Sequence, residues 1–142
     1  MNACIVRCTH DNKILLVKHR ERSWEFPGGK VDFYKDDFAE NLGYYDLLKT
    51  ATREFQEEVT NQIGCVGAPD HVLYKYDPAS EYSTVFFVYK ESVCLFDCFD
   101  KYKLKLSHDE AIHSVKEFAA HEINELYFSY PEDRDLIIKL LE

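Results

Sequence analysis

The stretch from residue 44 to residue 61 is the one long segment whose apolar residues follow helical spacing. Its apolar side chains recur every three or four positions, as they do along the buried stripe of an amphipathic helix. They are Leu47, Leu48, Ala51, Phe55 and Val59. Such a helix gains most of its stability from covering that stripe, so the rest of the chain has to supply a packing surface.

The predicted packing surface is a β-sheet. Residues 3–9 and 13–19 are rich in Ile, Val, Leu and Cys, and Asp11-Asn12 joins them as a hairpin. Further extended segments are predicted at residues 30–33, 72–76, 84–89 and 112–118, and further helices at residues 121–127 and 133–141. Strands, a helix, more strands and then helices predict an α/β or α+β layered fold with a mixed central sheet.

Chain size and charge restrict the class of protein. With 142 residues, 46% of them hydrophobic, the chain is predicted to form one globular domain over residues 1–142. Its 17 basic and 26 acidic residues give a net charge of −9, which argues against binding to duplex DNA or to anionic lipid. An anionic small molecule is compatible with this charge if a metal ion supplies positive charge.

The amino terminus and the cysteines predict a location. No cationic segment followed by a long apolar core begins the chain, and no apolar run approaches the roughly 20 residues of a membrane span. The five cysteines, at positions 4, 8, 65, 94 and 98, form no CxxC pair. We therefore expect a soluble cytoplasmic protein with reduced and mostly packed thiols.

Three glutamates lie together on the predicted long helix. Glu54, Glu57 and Glu58 are spaced i, i+3 and i+4, which places their carboxylates on one face with Cβ atoms about 5–6 Å apart. They repel one another, and the dipole disfavours negative charge at this end of a helix. Arg53, four residues before Glu57, is the only evident compensation. The cluster is either a solvated acidic face or a cation site.

The stretch from Gly29 to Glu58 resembles the signature of the Nudix hydrolase family. The run Arg53-Glu54-Phe55-Gln56-Glu57-Glu58 matches the helical half of that signature. The run Trp24-Glu25-Phe26-Pro27-Gly28-Gly29-Lys30-Val31-Asp32 is similar to the strand and loop that precede it. The resemblance implies a Nudix-type α/β/α sandwich with a mixed central sheet.

The sequence departs from the signature at three points. Between Gly29 and Arg53 the chain is ten residues longer than the signature, an insertion that we assign to residues 34–45. Lys35 stands where the signature has a glutamate, and Thr60 stands where it has a glycine. None of these departures removes a carboxylate that the signature uses to bind metal.

By resemblance, four groups bind Mg²⁺, or Mn²⁺ in its place: the carboxylates of Glu54, Glu57 and Glu58 and the backbone carbonyl of Gly29. Hard divalent cations take oxygen ligands of this kind, neutralise phosphate oxygens and lower the pKa of a bound water. Arg53 belongs to the same catalytic set, and Glu54 is the preferred candidate for the base that positions water. Glu110 is a candidate further ligand, although an ordinary polar loop explains it equally well.

Residues near the glycine pair are candidates for substrate binding. Arg20 and Arg22 carry the guanidinium forks that grip phosphates, although exposed loop arginines without a role are as common. Trp24 can stack on a nucleobase or belong to the core. Gly28 and Gly29 let the backbone approach phosphates without an intervening side chain.

The resemblance therefore predicts a Mg²⁺-dependent pyrophosphohydrolase that cleaves a nucleoside diphosphate linked to another group. The run from Trp24 to Gly29 is most similar to members that convert nucleoside triphosphates, including oxidised ones, to nucleoside monophosphate and pyrophosphate. ADP-ribose, dinucleoside polyphosphates and capped or triphosphorylated RNA 5′ ends are alternative substrates. A Nudix fold that binds a nucleotide without turnover is the alternative function.

Overall fold

The computed structural model describes residues 1–8, 11–31, 44–59, 68–90 and 112–141. In chain order the described elements are β1 Asn2–Cys8, β2 Lys13–His19, β3 Trp24–Glu25, β4 Gly28–Lys30, α1 Tyr44–Glu58, β5 His71–Asp77, β6 Tyr82–Lys90, β7 Ile112–Ala119, α2 Ala120–Ile123 and α3 Glu132–Leu141. None of the helices in these ranges has the length and the apolar composition that crossing a membrane would require.

The strands join in one seven-stranded sheet, whose central path runs β3-β2-β1-β6-β5. Strand β4 pairs with β1, and strand β7 pairs with β2, off that path. Strands β1 and β6 are parallel, with Ala3 opposite Val85, whereas the other pairs are antiparallel. The prediction of an α+β fold with a mixed central sheet is therefore confirmed.

Helix α1 covers one face of this sheet. Because side chains alternate along a strand, Ala3 and Ile5 of β1 point to this face, where they pack with Phe55 of the helix. The buried residues of the helical stripe are Leu48, Ala51, Phe55 and Val59. The apolar periodicity of the sequence thus predicted correctly which side of α1 is buried.

The carboxyl-terminal elements cover the opposite face. Cys4 and Val6, of the other parity in β1, pack there with Phe118 of β7, Ile123 of α2 and Ile137 of α3. The described chain therefore has three layers, with α1 on one side of the sheet and α2 and α3 on the other. This arrangement is the α/β/α sandwich that the family resemblance implies.

Two of the five cysteines belong to the first strand. Cys4 and Cys8 are buried free thiols. Burial raises the pKa of the Cys8 thiol to about 11 and raises the pKa of the Cys4 thiol well above its usual value. Both thiols therefore stay protonated and packed, as the sequence predicts; the other three cysteines lie outside the described residues.

One predicted helix is wrong over most of its length. Residues 121–127 are predicted to be helical, but α2 ends at Ile123. Beyond α2 the backbone pairs with β3 instead: the Trp24 N–H donates to the Tyr127 carbonyl at 3.2 Å, and the Ser129 N–H donates to the Trp24 carbonyl at 3.0 Å. These bonds, which form a parallel bridge between Trp24 and Phe128, take the place of helical ones.

Strand β4 lies so close to β1 that Gly28 has no room for a side chain. A Cβ atom on Gly28 would lie 2.5 Å from the carbonyl oxygen of Ala3 and 2.6 Å from the Sγ atom of Cys4. The first of these contacts is with backbone that is itself held in the sheet, so it cannot move aside cheaply. The glycine is therefore needed for β4 to pair with β1.

We expect Gly28→Ala to lower the free energy of unfolding by about 1–3 kcal/mol, because the added methyl group overpacks a closed site. Equilibrium denaturation in urea measures this change. Lys30→Ala, at the exposed end of the same strand, is the control and should change the free energy by less than about 0.5 kcal/mol. Equal losses in the two variants would contradict the close approach at Gly28.

Candidate active site

The glycine pair and the helix carboxylates, which are far apart in sequence, meet at Gly29 and Glu54. Gly29 pairs with Ala3 in the sheet, and helix α1 packs against β1. A Cβ atom on Gly29 would lie 2.5 Å from the Oε1 atom of Glu54 and 2.8 Å from its Oε2 atom. The carboxylate of Glu54 therefore occupies the space that any larger residue at position 29 would fill.

Glu58, one helical turn after Glu54, is buried, and its carboxyl group acts on the pKa of Glu54. Burial raises the pKa of Glu54 above its usual value and outweighs the opposing charge of Arg53; the charge of Glu57 adds to the rise. A divalent cation bound beside these carboxyl groups would favour their ionised form.

Arg53 connects two of the three glutamates. Its guanidinium lies 3.1 Å from the Oε1 atom of Glu54 and 3.0 Å from the Oε1 atom of Glu57. The second contact is the compensation that the sequence predicts for the acidic helix end. Glu57 is the most exposed of the three glutamates, since 46% of its side chain is accessible.

The helix glutamates and the carbonyl of Gly29 are chemically suited to a hard divalent cation, because such ions take carboxylate and carbonyl oxygens as ligands. Across residues 1–8, 11–31, 44–59, 68–90 and 112–141, however, no three His, Cys, Asp or Glu side chains are grouped so that they could hold a metal ion. Glu110 lies outside the described residues, as do residues 34–43 of the predicted insertion. The ligand set of three glutamates stays a prediction.

A cavity of about 600 Å³ opens beside the glycine pair. Gly28 and Gly29 line one part of it, and Lys75 and Asp133 line another. Aromatic side chains form much of the wall: Phe26, Tyr82, Phe86 and Tyr130. The cavity is large enough for a small organic ligand and combines apolar walls with a few polar groups, as ligand sites commonly do.

An ion pair lies in this cavity. The Nζ atom of Lys75 donates to the Oδ1 atom of Asp133 at 2.7 Å and to the Oε1 atom of Glu132 at 3.3 Å. The ammonium also lies over the rings of Phe86 and Tyr130, 5.6 and 5.5 Å from their centroids. Asp133 is buried, whereas the Lys75 side chain keeps 27% of its surface accessible.

The pKa values of the two partners shift for different reasons. Burial raises the pKa of Asp133, and the hydrogen bond and charge of Lys75 oppose that rise. Burial lowers the pKa of Lys75, but the hydrogen bond and charge of Asp133, with Glu132, reverse this and leave it raised. Across their 2.7 Å contact, the ammonium and the carboxylate therefore each favour the charged form of the other.

Glu25 is a second buried carboxylate in the lining of the cavity. Its Oε1 atom lies 2.7 Å from the Nε2 atom of His19 and 3.1 Å from the guanidinium of Arg22. Its Oε2 atom is buried and, among the described residues, receives no hydrogen bond. The unused oxygen is a ready acceptor for a ligand that enters the cavity.

The residues predicted to bind substrate divide into two groups. Arg22 lines the cavity with Gly28 and Gly29, whereas Arg20, although exposed, is not part of that lining. Trp24 packs edge to face on Phe118, with ring centroids 4.6 Å apart, and is not part of the lining either. The structure thus brings one arginine and both glycines to the cavity.

Sequence reasoning did not single out Glu25, Lys75 or Asp133. A signal exists for Lys75, because the alternation of β5 gives it the same parity as the half-buried Leu73, where a charged residue needs a partner. Asp133 lies in the first turn of α3, where any acidic residue is favourable, so its sequence position carries no sign of a buried role.

The comparison with protein families gives one match. The NUDIX domain model matches residues 1–140, almost the entire chain. The chain therefore belongs to the Nudix family, and with that family to the hydrolases that act on pyrophosphate bonds. Among curated proteins, no relative matches it.

Solved structures with the same fold are Nudix proteins of distant sequence. The Nudix domain of NrtR from Shewanella oneidensis, complexed with ADP ribose, is 18% identical with a TM-score of 0.61, over 97% of this chain and 82% of that one. An Ap4A hydrolase from C. elegans is 18% identical with a TM-score of 0.62, and the match covers 99% of this chain and 95% of that one. The MutT protein from Methanosarcina mazei is 16% identical with a TM-score of 0.58, and the match covers 99% of this chain and 90% of that one. At these identities the likeness shows the fold.

Removal of the Lys75 ammonium would leave the buried Asp133 carboxylate without that partner. We expect Lys75→Met to lower the free energy of unfolding by about 1–3 kcal/mol at pH 7. The double variant Lys75→Met/Asp133→Leu buries no carboxylate at this site and should regain most of the loss. A double-mutant cycle, in which the free energy of unfolding is measured for the wild type, both single variants and the double variant, tests this coupling. If the losses of the two single variants simply added up in the double variant, the two side chains would not be coupled.

Proposed function

We propose that this chain is a divalent-metal-dependent pyrophosphohydrolase that converts nucleoside triphosphates, including oxidised ones, to nucleoside monophosphate and pyrophosphate. The observation that carries the proposal is Gly29, which contacts the Glu54 carboxylate and lines the cavity of about 600 Å³. A polyphosphate can approach the bare backbone at the glycine pair, while the aromatic part of the cavity has room for a nucleoside. The proposal includes one domain over residues 1–142 and a cytoplasmic location.

Each residue of the site has a role in this proposal. The carbonyl of Gly29 and the carboxylates of Glu54, Glu57 and Glu58 would hold Mg²⁺, or Mn²⁺ in its place, with Glu110 as a candidate further ligand; the ion when bound neutralises phosphate oxygens and acidifies water. Glu54 is the candidate base for the attacking water. Arg53 is a positioning residue, because its ion pair fixes the Glu54 carboxylate. Arg22, in the cavity lining, is the candidate cation for the leaving phosphate.

A nucleotide-binding module without turnover is the second candidate. The ion pair between Arg53 and Glu57 favours it, because it engages a carboxylate that the metal would otherwise use. Among the proteins with this fold, one is complexed with ADP ribose and another is an Ap4A hydrolase. They support ADP-ribose and dinucleoside polyphosphates as alternative substrates of the proposal, and RNA 5′ ends are a further alternative from the sequence resemblance alone.

Turnover of a substrate panel tests the proposal. The protein is incubated with Mg²⁺ and nucleoside triphosphates, ADP-ribose, dinucleoside polyphosphates or 5′-triphosphate RNA, and the products are separated by chromatography. We expect nucleoside monophosphate and pyrophosphate from a triphosphate. Glu54→Gln should lower kcat by at least about 100-fold, since it removes the candidate base. Glu125→Gln, the same chemical change at an exposed position, should keep full activity.

Two outcomes would contradict parts of the proposal. Undiminished turnover by Glu54→Gln would show that the assigned site is not the one that reacts. Failure of the whole panel would contradict the hydrolase and leave the binding module. That module predicts a Tm that rises with Mg²⁺ in the wild type and not in Glu54→Gln, because a ligand stabilises only the state that binds it.

A further inference from the structure

Strand β5 has a partner on one side only, as far as the structure describes the chain. It pairs with β6 along its whole length, from His71 opposite Val88 to Asp77 opposite Tyr82, without a shift in register. No strand among the described residues pairs with its other side. Every second residue of such an edge strand turns its N–H and C=O groups away from the sheet, where another strand can pair with them.

Three exposed apolar side chains lie along one face of this strand. Val72, Tyr74 and Tyr76 keep 47%, 63% and 51% of their surface accessible, and we call them the β5 stripe. Val72 is opposite Phe87 and Tyr74 is opposite Val85, and both of these β6 residues belong to the core on the side of helix α1. That core, in the described part of the chain, includes no residue of β5. The apolar face of the sheet therefore extends beyond the core that α1 covers.

The usual protections of an edge strand are missing from β5. Natural sheets keep their edges unpaired with very short strands, prolines, bulges or outward-pointing lysines. Strand β5 is seven residues long, contains no proline and pairs regularly with β6. Its one lysine, Lys75, directs its ammonium into the cavity, 2.7 Å from Asp133 and 3.3 Å from Glu132. That charge is therefore engaged within the chain and does not repel a second strand.

The strand is complementary to a second copy of itself. Two β5 strands can pair antiparallel about a two-fold axis at Tyr74, a register that uses all seven residues. Tyr74 then faces Tyr74, and Val72 faces Tyr76, which are aromatic and β-branched pairs that stabilise antiparallel strands. A register shifted by one residue would place the two β5 stripes on opposite faces of the joined sheet. The two-fold axis at Tyr74 brings them together on one face.

The ends of the strand are complementary as well. In the same register His71 faces Asp77, so a ring N–H donor lies opposite a carboxylate. The Ser80 hydroxyl and the Ala79 N–H donate to Asp77, and these hydrogen bonds lower the pKa of its carboxyl group. A carboxylate that accepts two hydrogen bonds still has lone pairs for a third donor. Each end of the paired strands thus gains a polar contact.

Exposed tyrosines can also stack on the bases of single-stranded nucleic acid. Such sites combine the aromatic side chains with a positively charged groove that follows the phosphates. The net charge of −9 opposes this, and the ammonium of Lys75 is bound by Asp133 and Glu132. A second copy needs no such groove, because its own β5 supplies the matching residues.

We propose that β5 is the interface of a symmetric homodimer, in which the sheets of two copies join edge to edge and the two β5 stripes meet at a two-fold axis through Tyr74. The inference goes beyond the proposed function and does not depend on it. Because Asp77 lines the cavity, the dimer also brings His71 of the partner subunit to the margin of that cavity.

Sedimentation equilibrium of the full chain tests the dimer. The average mass should rise with concentration from 16.7 kDa to twice that value, with a Kd of about 10–100 µM because a one-strand interface is small. Tyr74→Lys places two ammonium groups opposite each other and should raise the Kd by at least about tenfold. Tyr127→Lys, the same change at a position that is 83% exposed and outside β5, should leave the Kd unchanged.

Oxidative crosslinking tests the register. Tyr74→Cys faces its own copy with Cβ atoms about 4.5–5.5 Å apart, whereas Val72→Cys lies about 13 Å from its copy. Mild oxidation should therefore join Tyr74→Cys into a covalent dimer, and it should leave Val72→Cys as uncrosslinked as the wild type, which controls for the five native cysteines. This variant also serves if Tyr74→Lys does not fold.

Three outcomes would overturn the proposal. The first is a wild type that stays at 16.7 kDa at every concentration. The second is equal crosslinking of Tyr74→Cys and Val72→Cys. The third is a monomer that binds fluorescein-labelled oligo(U) and loses this binding in Tyr74→Lys, which would assign the β5 stripe to nucleic acid.

Discussion

The close approach of strand β4 to its neighbours is the constraint on which the rest of the site depends. Gly28 lies against the backbone of β1, and Gly29 lies against the carboxylate of Glu54, each at a distance that leaves no space for a Cβ atom. One three-residue strand therefore ties the sheet to helix α1. The same glycines line the cavity, whereas Glu54, Glu57 and Glu58 are not part of its lining, so Gly29 is the link between the helix carboxylates and the cavity.

The acidic side chains of this protein differ in how far nearby cations compensate their charge. A net charge of −9 disfavours an anionic ligand in general, but several acidic side chains of the cavity and of helix α1 have cationic partners. Lys75 neutralises Asp133, His19 and Arg22 contact Glu25, and Arg53 lies between two glutamates of the helix. The pair of Glu54 and Glu58 is different, because Glu58 is buried and burial raises the pKa of Glu54 in spite of the charge of Arg53. That pair is where a divalent cation has the most to contribute.

Much of the fold follows from local patterns. The stripe of α1, the turn at Asn12 and the alternation of β1 each express a period or a backbone preference that nearby residues determine. The helix predicted at residues 121–127 was wrong because the backbone there pairs with Trp24, a partner from the other end of the chain. No local pattern reports such a pairing.

The residues of the candidate site likewise include some that the sequence predicts and some that only the folded chain brings together. The juxtaposition of Gly29 and Glu54 follows from a signature whose two halves the sequence contains, so it was predictable. The ion pair of Lys75 and Asp133 joins residues that no spacing rule connects, and only the folded chain shows it. Likewise, only the folded chain shows that Arg22 lines the cavity and that Arg20 does not.

The position of the cation is the central claim, and anomalous diffraction from crystals grown with Mn²⁺ tests it most directly. The account predicts an anomalous peak about 2 Å from the carbonyl oxygen of Gly29 and from a carboxylate oxygen of Glu54. A fully occupied Mn²⁺ elsewhere, with no peak between Gly29 and Glu54, would contradict it.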